Sequence, residues 1–282
     1  MSETPLHFQS ISELSTAIRE RRLSPVTLAE HMLSRIESLN PALHAFVTVT
    51  GERALAQAQA AKIAIDAGEY KGPLHGVPYV AKDLYNVRGL ATRAGTRLLA
   101  DNIAQDDCAA VARLRDAGMV LLGKTHTVQF AFGGVGINHD EGTPHNPWNE
   151  VAHAPGGSSS GTGVAVSSGL APMGLGTDTG GSVRIPAALC GIAGLKTTVG
   201  RISRAGVYPL SATLDSVGPL ARNVRDCALV YSALQGADAA DSSTDGQAPH
   251  DVLRTLDNGV KDMRIAFAET AFWDDADPEV ES

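Results

Sequence analysis

Three stretches of the sequence set glycines beside a reactive side chain, and each implies a different chemistry. Gly118-Met-Val-Leu-Leu-Gly123-Lys124-Thr125 has the spacing of a phosphate-binding loop, whose exposed amides would wrap an anion. Its four middle residues are apolar, so a buried strand running into a glycine turn is the better reading. Gly157-Ser158-Ser159-Ser160-Gly161 has the spacing of a nucleophile elbow, which needs a strand before it and an acid and then a histidine after it. It follows a loop instead, and His250 is the only histidine beyond it. An ordinary Ser-His-Asp hydrolase does not fit.

The third stretch is Gly174-Leu-Gly176-Thr177-Asp178-Thr179-Gly180-Gly181-Ser182-Val-Arg184-Ile-Pro186. A strand candidate enters a glycine turn, and a hydroxyl stands at the first turn of a helix, where unpaired amides favour negative charge. That is oxyanion-hole geometry: Ser182 would be the nucleophile, and the amides of Thr179, Gly180 and Gly181 would face the developing O⁻. A Gly-Gly-Ser is more often a simple helix cap, so both readings stand at this point. A serine nucleophile also needs a base. The chain has six lysines, none with a serine three residues before it, so the helical S-x-x-K pairing is absent. Lys82 closes the apolar run Gly76-Val-Pro-Tyr-Val-Ala, where burial would lower its pKa toward a neutral amine. An ion pair with the neighbouring Asp83 is the other outcome. His139, His145 and His153 lack metal-ligand spacing and read as solvent-facing loop residues, so no metal and no cofactor is expected.

The elements that would position these groups alternate along the chain. A helix over about Ile11 to Arg22 precedes a second one with Ser24 as cap, Pro25 at its first turn, an apolar stripe at Ala29, Met32, Leu33 and Ile36, and an end at Asn40-Pro41. Ala45 to Thr50 reads as a strand, Glu52 to Ala67 as a helix, Gly76 to Lys82 as a short buried strand, Asp107 to Ala117 as a helix and Met119 to Leu122 as a strand. Gly133 to Ser160 lacks periodicity and reads as a long functional loop. Beyond it the pattern predicts a helix near Thr162 to Gly169, a strand at Met173 to Thr177 and a helix from about Ser182. A strand near Ile192 to Lys196, a helix at Val224 to Leu234, an acidic loop or linker over Gly236 to His250 and a strand at Met263 to Phe267 follow. The order implies an α/β fold around a mostly parallel or mixed sheet.

Composition narrows the function classes. With 282 residues, 43% hydrophobic and 19% charged, the chain can bury one large core or two smaller ones. Its net charge of −8, without basic runs, argues against gripping nucleic acid directly. Cys108, Cys190 and Cys227 are far apart and read as reduced core thiols. The start, MSETPLHFQS, lacks the features of a signal peptide, and no run of about 18 apolar residues offers a membrane span; a cytoplasmic protein is expected. Glycine is in excess: of 29 glycines, 18 lie between Gly133 and Gly218, where the backbone must need positive φ or close approach.

Taken in order, Gly76-Val-Pro-Tyr-Val-Ala-Lys82-Asp83, Pro155-Gly-Gly157-Ser158-Ser159-Ser-Gly161 and Gly176-Thr-Asp-Thr-Gly-Gly-Ser182-Val-Arg184-Ile-Pro186, followed by Cys190-Gly-Ile-Ala-Gly-Leu-Lys-Thr-Thr-Val-Gly-Arg201, resemble the amidase signature family. The resemblance covers about residues 72–225. It implies a single α/β domain over 1–282 with a central mixed sheet flanked by helices, N-terminal helices to about residue 70 and a signature core over 72–225. Family members are longer, so the C-terminal part of the fold is expected to be absent. The resemblance further implies a Ser–cis-Ser–Lys triad cleaving carboxylic amides through an acyl-enzyme. Ser182 would be its nucleophile, Ser158 the bridging serine after a cis bond from Gly157, and Lys82 the base. The amides of Thr179, Gly180, Gly181 and Ser182 would form the oxyanion hole, with Asp178, Arg184, Gly157 and Ser159 in support. The substrate would be a small-molecule amide, and two assemblies stay open, a homodimer or a complex with a tRNA-binding partner subunit. Val199 to Tyr208 and Leu214 to Pro219 look like bacterial members, including the glutamine-hydrolysing component of Glu-tRNA(Gln)/Asp-tRNA(Asn) amidotransferases. On that reading a partner subunit binds the tRNA. A truncated, catalytically idle interaction remnant is the third expectation.

Overall fold

In the computed structural model, residues 4–149, 151, 153–266, 274 and 277–281 are described. Helix α1 (Ile11–Arg19) opens with a capping box, in which Ser10 accepts the Glu13 amide and Glu13 reaches back to the Ser10 amide. Helix α2 (Pro25–Leu43) starts as expected, at Ser24 and Pro25, but runs past Asn40-Pro41 to Leu43. The proline in the last turn costs the helix the bond that a residue-41 amide would give the Glu37 carbonyl, and His44, in the left-handed region, closes the helix with its amide on the Asn40 carbonyl. Strand β1 (Phe46–Val49) and helix α3 (Gly51–Asp66) follow, then β2 (Pro78–Lys82), α4 (Ala109–Asp116) and β3 (Val120–Thr125). Strand β3 extends beyond the expected Leu122, so Gly123, Lys124 and Thr125 belong to the sheet and form no phosphate loop.

The second half supplies α5 (Ser160–Ser167), β4 (Met173–Asp178), α6 (Arg184–Leu189), β5 (Ala193–Gly194), β6 (Ser216–Ala221) and α7 (Val224–Leu234). Among the described residues six strands form one sheet, in the order β1-β3-β2-β4-β6-β5. The three central strands β3, β2 and β4 run parallel, while β1, β6 and β5 pair antiparallel. The β2–β3 register shifts between Tyr79 and Val80. Every residue of β2, β3, β4 and β6 is buried, as a sheet covered on both faces requires. Helix α5 packs against β2, β3, β4 and β6, α3 against β3, and α7 against β5 and β6.

Helix α5 is built of small residues because it lies very close to the sheet end. A Cβ on Gly161 would stand 2.3 Å from the Ala45 carbonyl oxygen and 2.5 Å from the His126 amide nitrogen. Both neighbours are backbone and cannot swing aside. Gly161→Ala is therefore expected to destabilise the fold by about 2 kcal/mol, read from the urea midpoint; an unchanged midpoint would show that α5 can shift freely.

Three features add to the sequence pattern or depart from it. Strand β6 reads as a motif with Gly218-Pro219 rather than a strand, yet Leu175 pairs with Pro219. The β5 pairing covers only Leu220 and Ala221, and beyond it the Leu195 amide donates to the Pro219 carbonyl at 3.0 Å, so the proline sits where that ladder ends. The expected acidic stretch over residues 236–250 is a loop fastened to the fold: Asp241 accepts the Arg204 amide at 2.7 Å, Arg113 donates to the Gly236 and Ala237 carbonyls, and Thr244 is fully buried. Of the strand expected at Met263 to Phe267, residues 263–266 are irregular, and Phe267 lies outside the described residues. Among the described residues no helix is long and apolar enough to cross a membrane.

Candidate active site

The site lies where the parallel strands β2 and β4 end. Lys82, the last residue of β2, is fully buried. Its Nζ stands 2.7 Å from Ser158 Oγ and 2.8 Å from Thr177 Oγ1, donating to both. Loss of water pulls its pKa from 10.5 down to about 7, against the opposing pull of Asp215 and Asp178. The lysine thus exchanges between ammonium and neutral amine near neutral pH. Asp83 does not pair with it. Alternation along β2 turns Asp83 to the other face, where Lys124 Nζ holds it at 2.5 Å.

Ser158, also fully buried, follows a cis peptide bond from Gly157. Its carbonyl accepts from Thr127 Oγ1 at 2.9 Å and from the Val128 amide at 3.2 Å. The Gly157 amide donates to the Gly134 carbonyl at 2.7 Å, and a Cβ on Gly157 would meet the Gly133 oxygen at 2.9 Å. Only glycine lets the two loops approach this closely. Ser159 ties the serine loop to the turn beyond β4: its amide donates to the Ser182 carbonyl at 3.2 Å, and its hydroxyl reaches the Thr177 carbonyl at 3.4 Å.

Ser182 sits in that turn, 8% exposed. Asp178, rather than Ser182, serves the start of α6: its carboxylate accepts the amides of Gly181 at 2.9 Å, Val183 at 3.1 Å and Arg184 at 3.3 Å. It also takes Arg184 Nε at 3.1 Å and Nη2 at 2.9 Å. Burial works to raise the Asp178 pKa, but these donors outweigh it and hold the carboxyl below its ordinary value. The bland reading of Ser182 as a helix cap is thereby set aside, since α6 carries no side-chain cap bond at its N-cap residue. One of the four expected oxyanion amides is corrected too, because the Gly181 amide is committed to Asp178. Thr179 is half-buried and Gly180 exposed, with nothing within 4 Å of a Cβ placed on Gly180.

Sequence reasoning gave no role to Thr177, Thr127 or Asp215. Thr177 lines a cavity of about 240 Å³ with Arg204, Asp215 and Asp241. Asp215 accepts Thr179 Oγ1 at 2.5 Å and the amides of Leu210 and Ser211 at 2.8 and 3.0 Å, which fixes the far side of the turn. Thr177, next after Gly176 on a strand of known alternation, was within reach of pattern reasoning; the long-range partners of Thr127 and Asp215 were not. His139, His145 and His153 are exposed, and among the described residues no group of three His, Cys, Asp or Glu is arranged to hold a metal.

A mixed α/β sheet thus sets a buried lysine against one serine and ties that serine loop to a glycine turn carrying a second. The family model described as Amidase matches residues 27–282, and the chain belongs to the amidase signature family. It is 43% identical over 275 residues to the A component of the Glutamyl-tRNA(Gln) amidotransferase of Alkalilimnicola ehrlichii, covering 98% of this chain and 56% of that protein. Among solved structures it is similar to the native peptide amidase of Stenotrophomonas maltophilia, with a TM-score of 0.84, 38% identity, and coverage of 90% of this chain and 54% of that one. A protein from a vestigial complex bearing on the origins of an s-triazine catabolic enzyme matches with a TM-score of 0.88 at 37% identity, over 91% of this chain and 56% of that one. The chain thus spans little more than half the length of these relatives.

Proposed function

We propose that this chain carries an amide-cleaving centre in which Ser182 is the nucleophile, Ser158 the proton bridge and Lys82 the base. The observation that carries the reading is the 2.7 Å contact between a fully buried Lys82 Nζ and Ser158 Oγ, with the amine titrating near 7. Neutral Lys82 takes the Ser158 proton as Ser158 takes that of Ser182, and Ser182 Oγ adds to the amide carbonyl. The amides of Thr179, Gly180 and Ser182 stabilise the resulting oxyanion. The proton returns through Ser158 to the leaving nitrogen, the C–N bond breaks, and water hydrolyses the acyl-serine. Thr177 Oγ1, accepting a Lys82 N–H, keeps the amine lone pair turned toward Ser158. Asp178 and Arg184 hold the turn, and Gly157 and Ser159 hold the two loops together. The substrate is a small carboxylic amide, and no cofactor takes part. A cytoplasmic setting suits three buried free thiols.

The test is reaction of the chain with a fluorophosphonate, with the added mass located by peptide mapping. Modification of Ser182 is the expected result; a folded chain that takes up no probe would refute the reading. The identity to the amidotransferase component favours one second reading, in which the amide is glutamine and the ammonia serves a partner that binds tRNA. Glutaminase activity appearing only with a co-purified tRNA-binding subunit would select it over a free-standing, homodimeric amidase.

A further inference from the structure

The Lys124–Asp83 ion pair has no part in the chemistry above, and its burial is costly. Both side chains are out of water, at 0% and 1% exposure, and apolar residues of similar volume usually serve stability as well or better in such a place. What the pair fastens is specific. Lys124 Nζ also donates to the Ala91 carbonyl at 2.7 Å and to Thr92 Oγ1 at 3.2 Å. Asp83 Oδ2 accepts the Arg93 amide at 3.1 Å, and the Asp83 carbonyl accepts the Ala94 amide at 3.0 Å. Four successive residues of the loop 91–95 are thereby pinned, Ala91 and Thr92 to Lys124 on β3 and Arg93 and Ala94 to Asp83, the residue after Lys82.

That loop in turn grips the segment holding Ser158. The Ala94 carbonyl accepts the Phe130 amide at 2.7 Å, and Asn138 Nδ2 bridges the Gly95 and Thr127 carbonyls at 2.8 Å each. A Cβ on Gly95 would stand 2.7 Å from the Thr127 oxygen and 2.9 Å from that of Val128. Ala94, Phe130 and Ala131 have φ of +50°, +50° and +59°, a region that side-chain-bearing residues enter only when their surroundings impose it. Thr127 and Val128 are the two residues that hold the Ser158 carbonyl. The route from the ion pair to the bridging serine is continuous.

We propose that the buried Lys124–Asp83 pair is the positioning device of the serine–lysine centre: it fastens the 91–95 loop, which clamps Thr127 and Val128 onto Ser158 and so sets Ser158 Oγ against Lys82 Nζ. The proposal rests on the amide-cleaving reading. Neither residue meets substrate; both act through Ser158.

The test is the phosphonylation kinetics of the full chain with a fluorophosphonate. The double variant Lys124→Met with Asp83→Leu removes both charges together and leaves no lone buried charge. It is expected to unfold cooperatively like the wild type, while its saturating phosphonylation rate falls about 100-fold and the half-saturating probe concentration stays unchanged. Lys124→Arg, which keeps the charge, is expected to retain most of the rate. A folded double variant that reacts at the wild-type rate overturns the proposal. Should the double variant fail to fold, Thr127→Val decides, since it removes the hydroxyl link to the Ser158 carbonyl at 2.9 Å and, besides it, only the longer contact to the adjacent Val128 carbonyl at 3.2 Å. A drop of about tenfold is expected there, and a wild-type rate overturns the proposal. An unreactive wild type would instead overturn the amide-cleaving reading and this inference with it.

Discussion

Ser182→Ala is expected to abolish reaction with a fluorophosphonate and to lower amide hydrolysis by about 10⁶-fold, with the fold retained. The size follows from losing the atom that forms the new bond, for which neither the oxyanion amides nor the base can compensate. Retention of the fold follows from what the side chain does structurally, which is little. The start of α6 is held by Asp178, and the tie to Ser159 runs through the Ser182 backbone carbonyl, which alanine keeps. Intact mass after labelling and the thermal midpoint measure the two halves of the expectation. Labelling that persists in the variant would assign the nucleophile to another serine, Ser158 and Ser159 being nearest along the chain of contacts.

Lys82→Met is expected to lose acylation by about 10³-fold at neutral pH and, unlike most active-site changes, to raise stability there. On the proposed mechanism the reactive form is the neutral amine, so the acylation rate should rise with pH through about 7 and level off above it. The variant should lack that rise. The stability sign follows from linkage. The folded value, about 7, lies below the unfolded value of 10.5, so between them the unfolded chain binds more protons and stability grows with pH. At neutral pH and below, the wild type bears most of the cost of burying this amine, and methionine removes it. Thermal midpoints of both proteins at pH 6 to 10 should converge as pH rises. A wild-type pH profile in the variant would exclude Lys82 as the base.

Much of this was legible in the sequence, for local reasons. Lys82 stood out as one charge closing an apolar run, and Ser182 as a hydroxyl after a strand and a glycine turn. Both signals depend on neighbours within a few residues. Ser158 had no such signal: its partners Thr127 and Val128 lie some thirty residues upstream, and only the family resemblance singled it out. The fate of the Gly181 amide turned on Asp178, whose Asx-type capping of the residues three to six further on is a pattern that sequence can reveal. Strand β6 was hidden by Pro219, because the short partner that excuses a proline there is a fact of topology. The partner of Asp83 was equally hidden, since pairing preference points to the adjacent lysine and only strand alternation separates them.

The register shift between β2 and β3 is what sorts those charges. The pairing runs Tyr79 with Leu121 and then Val80 with Gly123, so Leu122 is an extra residue on β3. Were the pairing continuous from Tyr79 onward, Lys124 would stand beside Lys82 on the same face, and Asp83 would sit opposite Thr125 with no cation. Two adjacent buried ammonium groups would then compete for one site, with a stranded carboxylate behind them. One unpaired residue in a buried strand thus decides which lysine is solitary and which is neutralised. Under the proposed mechanism, the identity of the base is in this sense a property of the alignment between two strands. A slip that paired Leu122 with Val80 would change the chemistry of the site without altering the sequence at any position.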